Sequence, residues 1–285
     1  MSRTKLIQRL LIFFAGVPGV VALVICLPQF NHLALNLLVV AVSALGAMEY
    51  ARMLKSKGFP VNLPEAAILG SLNPVAQTLI VSFDTNSEIT QFLFIIGASW
   101  LLVSEIFYRK SDFSPVLGRL AGGFSVMIYP GLLLSWIITM STLEHSSTAI
   151  LAFILTVMAN DSIAWVTGIL FGKNNRGILK VSPNKSLAGY IGGMAASVTV
   201  CILLAYFVPR AFVPDQIPRL PSAVLLGLCS GVAVIFGDLA ESAIKRSCGF
   251  KDSGLVIPGR GGALDSTDSV ALTAPLFYVL YRFFF

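Results

Sequence analysis

Long apolar runs separated by short polar loops decide most of what this chain can become. Nine runs can be read, at about 8–28, 32–51, 65–83, 89–108, 119–140, 148–171, 187–208, 222–246 and 267–285. Each approaches the ~20 residues that carry an α-helix across the hydrocarbon core of a bilayer. The runs are continuous rather than alternating, which argues against the strands of a membrane barrel. With 56% hydrophobic and only 12% charged residues, the chain cannot cover a water-soluble surface. The expectation is an all-α, polytopic membrane protein with about nine transmembrane helices. The third run contains Asn73-Pro74, and a proline there removes a backbone donor and predicts a kink. The last run is short and carries Arg282.

Orientation follows from the cations. Arg3, Lys5 and Arg9 precede the first run, and Arg52, Lys55 and Lys57 follow the second. Arg109, Lys110 and Arg119 follow the fourth, Lys173, Arg176, Lys180 and Lys185 the sixth, and Lys245, Arg246, Lys251 and Arg260 the eighth. Only Arg210, Arg219 and Arg282 fall on the other side. This asymmetry predicts a cytoplasmic N-terminus in the cytoplasmic membrane, with the even-numbered loops also inside. It also explains the net charge of +6 without nucleic acid as a partner; such loops attract anionic lipid headgroups. The basic stretch 1–9 before an apolar run reads as the start of an uncleaved first helix. Cys26, Cys201, Cys229 and Cys248 form no C-x-x-C pair, so neither a zinc site nor a disulfide framework is expected. Small-residue faces in the first and fifth runs allow a homodimer without requiring one. Five runs make up an N-terminal region, 1–145, and four make up a C-terminal region, 146–285, where the chemistry is expected.

Ionisable groups at membrane depth are costly and usually mark function. The eighth run reads "LCSGVAVIFGDLAESAIKR". Asp238, Ser242 and Lys245 share one helical face there, with Glu241 beside them. Lys245 and Arg246 alone could be a helix end emerging into water, but Asp238 lies about two turns deeper. The sixth run carries Asn160 and Asp161, followed at helical spacing by Trp165, Gly168 and Gly172. Asn160 and Asp161 are either ligand-binding or hydrogen-bonding glue between helices, and the sequence leaves both readings open. In "KVSPNKSLAGYIGG", Ser182-Pro183 starts a turn and is expected to cap the next helix. Lys185 then sits near a helix start that could receive a phosphate, or is one more topogenic cation.

The densest polar stretch is "KRSCGFKDSGLVIPGRGGALDSTDS", Lys245 to Ser269. Glycines in "PGRGG" let backbone amides approach a phosphate without a Cβ in the way. Asp265 and Asp268 are three apart, so a helix starting by Asp265 would project both from its first turn. Met by Asp238 from the preceding helix, they would suit Mg²⁺ beside a substrate phosphate. The plainer alternative is that they favour a helix N-terminus by charge. Together these features ask for a cytoplasm-facing site that transfers phosphoryl or nucleotidyl groups.

These residues resemble the phosphatidate cytidylyltransferase (CDP-diacylglycerol synthase) family, whose signature has the form S-x-x-K-R-x4-K-D-x-G-x3-P-G-H-G-G-x-x-D-R-x-D. The chain matches it at Ser242, Lys245, Arg246, Lys251, Asp252, Gly254, Pro258, Gly259, Gly261, Gly262, Asp265 and Asp268. The pairs Gly237-Asp238 and Asn160-Asp161, Phe171–Lys173 and Ser182–Ser186 match as well. It departs at Arg260 (His in the family), Ser266 (Arg), and Leu187-Ala188 (Trp-Glu), which marks it as a divergent member. Removing the arginine at 266 removes a rigid phosphate fork.

The resemblance implies that CTP and phosphatidate react to give CDP-diacylglycerol and pyrophosphate. It implies Mg²⁺ on Asp238, Asp265 and Asp268, and K⁺ as a second cation. Lys185, Lys245, Arg246 and Lys251 would hold phosphates. Asn160, Asp161, Ser182, Ser242, Asp252, Gly261 and Gly262 would contribute to substrate binding. Two other readings stay open at this stage: a related lipid phosphotransferase such as a polyprenol kinase, and an ion-coupled transporter using Asp161 and Asp238. The transporter reading predicts interrupted helices in two related halves, and no such symmetry is visible in the sequence.

Overall fold

The apolar runs become helices because nothing else satisfies every backbone N–H and C=O inside a bilayer. A computed structural model describes residues 16–107, 113–215, 217–257 and 261–285, and among these there is no β-strand, only two isolated bridges. The described helices are α1 (Gly16–Cys26), α2 (Gln29–Ser56), α3 (Leu63–Phe83), α4 (Ile89–Ser104) and α5 (Val116–Thr142). They continue with α6 (Ser146–Phe171), α7 (Leu187–Phe207), α8 (Arg219–Cys248) and α9 (Leu264–Phe284). Six of them, α2, α3 and α5 to α8, are long and apolar enough to cross a membrane, while α1 and α4 are shorter apolar helices. The chain is an all-α integral membrane protein. The cations at 3, 5, 9, 109, 110 and 260 lie outside the described residues.

Contacts divide the chain differently from its linear halves. One compact unit comprises residues 1–141 and 247–267, and the other comprises 142–246 and 268–285. The glycine-rich stretch after α8 therefore belongs with the N-terminal helices.

In the first unit, small residues bring α2, α3 and α5 together. A Cβ on Gly70 would collide with the side chain of Ala47, and one on Gly131 would stand 2.9 Å from the Gly70 carbonyl oxygen. The small face of the fifth run is thus used inside the unit. Pro130 has no N–H to donate, and α5 widens into a π turn over Met127–Leu132 around it. By contrast α3 stays α-helical across Pro74. At one end of these helices Arg119 forks between Glu65 (2.8 Å) and Glu105 (2.7 Å). Trp100 Nε1 adds a second donor to Glu65, at 2.8 Å. At the start of α2, Phe30, Asn31 and His32 adopt left-handed dihedrals. Asn31 Nδ2 donates there to the Val81 carbonyl at 2.6 Å, and Asn36 Nδ2 donates to the Asn31 carbonyl at 2.9 Å. The Asn36 amide thereby satisfies a backbone acceptor that the broken start of α2 leaves open, and the Asn31 amide satisfies one in the last turn of α3.

In the second unit, glycines again set the spacing. A Cβ on Gly189 would stand 2.9 Å from the Ala164 carbonyl oxygen, and one on Gly193 would stand 2.7 Å from Asn160 Oδ1, so α6 and α7 pack almost backbone to backbone. Gly227 plays the same part between α8 and α7, where a Cβ would stand 2.9 Å from the Ser197 carbonyl. Toward the far end of the unit the contact is aromatic. Phe153 meets Phe277 at 5.4 Å and Phe212 meets Tyr281 at 5.4 Å between ring centroids. The Tyr281 hydroxyl donates to the Ala211 carbonyl.

Candidate functional site

Gly237 positions the carboxylates of the second unit. A Cβ there would stand 2.6 Å from the Asp268 carbonyl oxygen and 3.2 Å from Ser269 Cα. Only a residue without a side chain lets α8 and α9 approach this closely. Asp238, next along α8, and Asp268, on α9, consequently fall within electrostatic range of each other. Lys185 and Lys245 lie within range of Asp268 as well. Lys185 pairs with Asp238 directly, and Ser242 donates to Asp238 from one turn further on, at 3.4 Å. Lys245 pairs with Glu241, whose side chain is fully buried. Asp161 accepts from Ser269 Oγ at 3.4 Å, which brings a carboxylate of α6 to the same residues of α9.

A hollow of about 440 Å³ opens beside these groups. Asp161, Asn160, Lys185, Asp238, Trp165 and Tyr190 line it, together with Arg176 and backbone of α7. Tyr190 lines the hollow, and among the described residues its buried hydroxyl has no hydrogen-bond partner. An unmet phenol costs free energy in an apolar setting, and a polar group left unmet at the wall of a hollow suits a site that takes a ligand.

Several expected residues take other duties. Asn160 Nδ2 donates to Ser197 Oγ at 2.8 Å, so this side chain does tie α6 to α7, in addition to lining the hollow. The cap of α7 is Ser186, whose hydroxyl accepts from Gly189 N–H at 3.1 Å, and not Ser182. Ser182 instead closes the preceding turn, its carbonyl accepting from Lys185 N–H at 3.1 Å. The chain uses the residues from Arg176 to Ser186 to close an isolated bridge before the helix begins, which moves the helix start past Pro183. Arg246 and Lys251 are exposed, as is Asp252.

The glycine-rich stretch folds on itself within the first unit. Helix α8 ends at Gly249, whose φ of +78° suits only a residue without a Cβ. Further on, Ile257 and Gly261 exchange backbone hydrogen bonds of 2.8 and 3.0 Å. Pro258, Gly259 and Arg260 lie outside the described residues. Asp265 Oδ2 accepts from the N–H groups of Gly262 (2.7 Å) and Ser253 (2.8 Å). The amides that a phosphate cradle would use at Gly261 and Gly262 are therefore bonded inside the turn. Ser266 Oγ, where the signature has arginine, donates to the Gly262 carbonyl at 3.2 Å. Sequence reasoning passed over one residue here. Glu49 of α2 is buried (3% exposed) and accepts from Ser253 Oγ, Ala263 N–H and Leu264 N–H. The signal was available, because Glu49 is an ionisable residue inside an apolar run.

Among the described residues, no three His, Cys, Asp or Glu side chains gather closely enough to hold a metal by themselves. Asp238 and Asp268 are nonetheless a fitting donor set for Mg²⁺. That ion commonly takes one or two carboxylates, keeps several waters and draws its remaining ligands from substrate phosphates.

Comparison with known proteins follows this geometry. Residues 7–284 match the cytidylyltransferase family. The chain is 32% identical over 219 residues to a phosphatidate cytidylyltransferase of Thermotoga maritima, covering 75% of this chain and 76% of that one. It is 29% identical over 258 residues to the phosphatidate cytidylyltransferase of Synechocystis, covering 82% and 83%. A phosphatidate cytidylyltransferase of Staphylococcus haemolyticus is 31% identical over 186 residues, covering 65% and 67%.

Proposed function

Because the chain belongs to the cytidylyltransferase family, we propose that it condenses CTP with phosphatidate at the cytoplasmic face of the cytoplasmic membrane, releasing pyrophosphate and leaving CDP-diacylglycerol for phospholipid synthesis. The observation that carries this reading is the cluster in the second unit. Asp161, Asp238 and Lys185 line a hollow, and Asp268 lies within electrostatic range of Asp238, Lys185 and Lys245, which suits an anionic, metal-bound substrate.

The phosphatidate phosphate supplies the attacking oxygen. A new P–O bond forms to the α-phosphorus of CTP in line with the bond that breaks, and the electron pair of that bond leaves with pyrophosphate. A phosphate monoester is largely ionised at neutral pH, so no strong base is needed. The work of the protein is to hold two anions together and to offset the charge that develops. Lys185 and Lys245 are the cations for this. Each is held in place by a carboxylate, Lys185 by Asp238 and Lys245 by Glu241. Arg246 and Lys251 are assigned to phosphates by the signature, and their exposure suits an anion arriving from water. Asp238 and Asp268 would hold Mg²⁺, and the ion would draw charge from the phosphates, while Asp265 keeps its bonds inside the turn. K⁺ is the second cation the reading includes.

The test is purified protein in lipid nanodiscs with labelled CTP, phosphatidate and Mg²⁺. The expected product is a lipid-extractable cytidylate formed with one pyrophosphate, and Asp268→Asn abolishes it. Folded wild-type protein that forms no such product from phosphatidate would overturn the reading.

A further inference from the structure

The glycine-rich turn is held from outside itself. Helix α9 begins at Leu264, and the first N–H groups of a helix have no partner within it. Two of these donors, Ala263 N–H at 3.1 Å and Leu264 N–H at 3.0 Å, end on the two oxygens of Glu49. Ser253 Oγ donates to Glu49 Oε2 at 3.0 Å and also accepts from Asp265 N–H at 3.2 Å. One carboxylate of α2 thus gathers both arms of the turn, the arm before Ile257 and the arm after Gly261. The packing shows the same. A Cβ on Gly254 or on Gly262 would collide with the Glu49 carboxylate, so both glycines are there to let it in. Nothing else in the signature explains a glycine at 254.

We propose that Glu49 is the positioning residue of the signature turn. Its carboxylate takes the place that a bound anion would otherwise take at the N-terminus of α9, and fixes residues 252–257 and 261–265 in one form before substrate arrives. The interaction is strong for two reasons. A carboxylate accepting backbone amides makes charge-assisted bonds, and burial removes the competing water. Burial also makes the arrangement obligatory, because an ionised Glu49 without these donors would be an unpaired charge in an apolar helix bundle. The N-terminal helices therefore do more than anchor the protein: α2 supplies the part that shapes the turn.

The catalytic consequence rests on the function proposed above. If substrate binds only to the ordered turn, disordering it lowers the competent fraction, and the apparent affinity for CTP falls by that fraction. Glu49→Gln keeps the shape of the side chain and removes its charge. In nanodisc-embedded protein, hydrogen exchange at the amides of Ser253, Ala263 and Leu264 is expected to quicken at least about ten-fold. Exchange in α6 and α7 stays unchanged. The KM for CTP rises about ten-fold while kcat at saturating CTP stays within about two-fold of wild type. Ser253→Ala, which removes one of the three donors, shifts both quantities in the same direction, and its combination with Glu49→Gln is less than additive. Unchanged exchange at these amides would overturn the proposal. So would a fall in kcat with KM unmoved, since that is the mark of fewer folded molecules rather than of a looser turn. If wild-type protein forms no lipid cytidylate, the functional reading fails and the exchange measurement still decides the role of Glu49.

Discussion

The acidic residues at the glycine-rich turn of the first unit and those near the hollow of the second are held in different ways. In the first, Glu49 and Asp265 are met by backbone amides and a serine hydroxyl, all of them fixed in place. In the second, Asp238 is met by a lysine at the end of a flexible stem, and Asp268 accepts on one oxygen, Oδ1, from Ser269 while lying within electrostatic range of Asp238; a nearby phenol has no partner among the described residues. A carboxylate saturated by amides has nothing to gain from a ligand. One held by a lysine can exchange that lysine for a metal and a phosphate with little rearrangement. The contrast separates groups that build the site from groups that act in it, although all are carboxylates.

The sharpest way to break the comparison is Asp238→Asn. If Asp238 acts on the ligand, the substitution lowers turnover by about 10³-fold, in line with the loss of a central charge-stabilising group. The protein should remain folded, because Ser242 and Lys185 are both near enough to water to adjust. Lys185→Met combined with Asp238→Asn should lower turnover by less than the product of the two single losses, since the pair is already broken. Melting of the nanodisc-embedded protein and product formation, measured on the same samples, check both statements. A variant that unfolds instead would move Asp238 into the class of Glu49.

How much of this was legible beforehand follows the same division. Among the described residues the apolar runs are helical, six of these helices being long and apolar enough to cross a membrane, because a helix is a form in which a bilayer-crossing backbone satisfies its own hydrogen bonds. Asp238 and Lys245 could be found because charge at membrane depth is conspicuous. The link between Asp238 and Lys185 could not, as 53 residues separate them and only the packing of α6, α7 and α8 sets the distance. The same holds for Glu49, which lies 204 residues from Ser253. Ser182 drew attention as a cap because it precedes a proline, yet the cap is Ser186, since the bridge from Arg176 to Ser186 delays the helix start. Local patterns give the helices, and close approach between distant segments decides what their polar residues do.

That close approach can itself be tested at Gly237. Alanine is ordinarily the better helix former, so Gly237→Ala would stabilise an isolated α8 by about 1 kcal/mol. Here the new methyl would stand 2.6 Å from the Asp268 carbonyl oxygen, and backbone must give way. Separating Asp238 from Asp268 by about 1 Å should lower turnover by about 100-fold, as misplacement of that order does elsewhere. The loss should exceed any change in the KM for CTP. An active Gly237→Ala enzyme would mean that the spacing of α8 and α9 is not what sets the site.

The smallest expected effect is the most discriminating. Tyr190 carries a buried hydroxyl with no partner, which costs the ligand-free protein about 1 kcal/mol or more. Tyr190→Phe removes that cost and should raise the melting temperature of the ligand-free protein slightly. If the hydroxyl is aimed at a ligand, the same substitution also raises the KM for one substrate by about five- to ten-fold, the worth of a single neutral hydrogen bond. Which substrate is affected tells which end of the reacting pair lies in the hollow beside Trp165 and Lys185. A gain in stability with both KM values unchanged would assign Tyr190 to the structural class, and with it the floor of the hollow. Opposite signs on stability and affinity are what a residue kept for binding shows, because selection for folding alone would have replaced the phenol with phenylalanine.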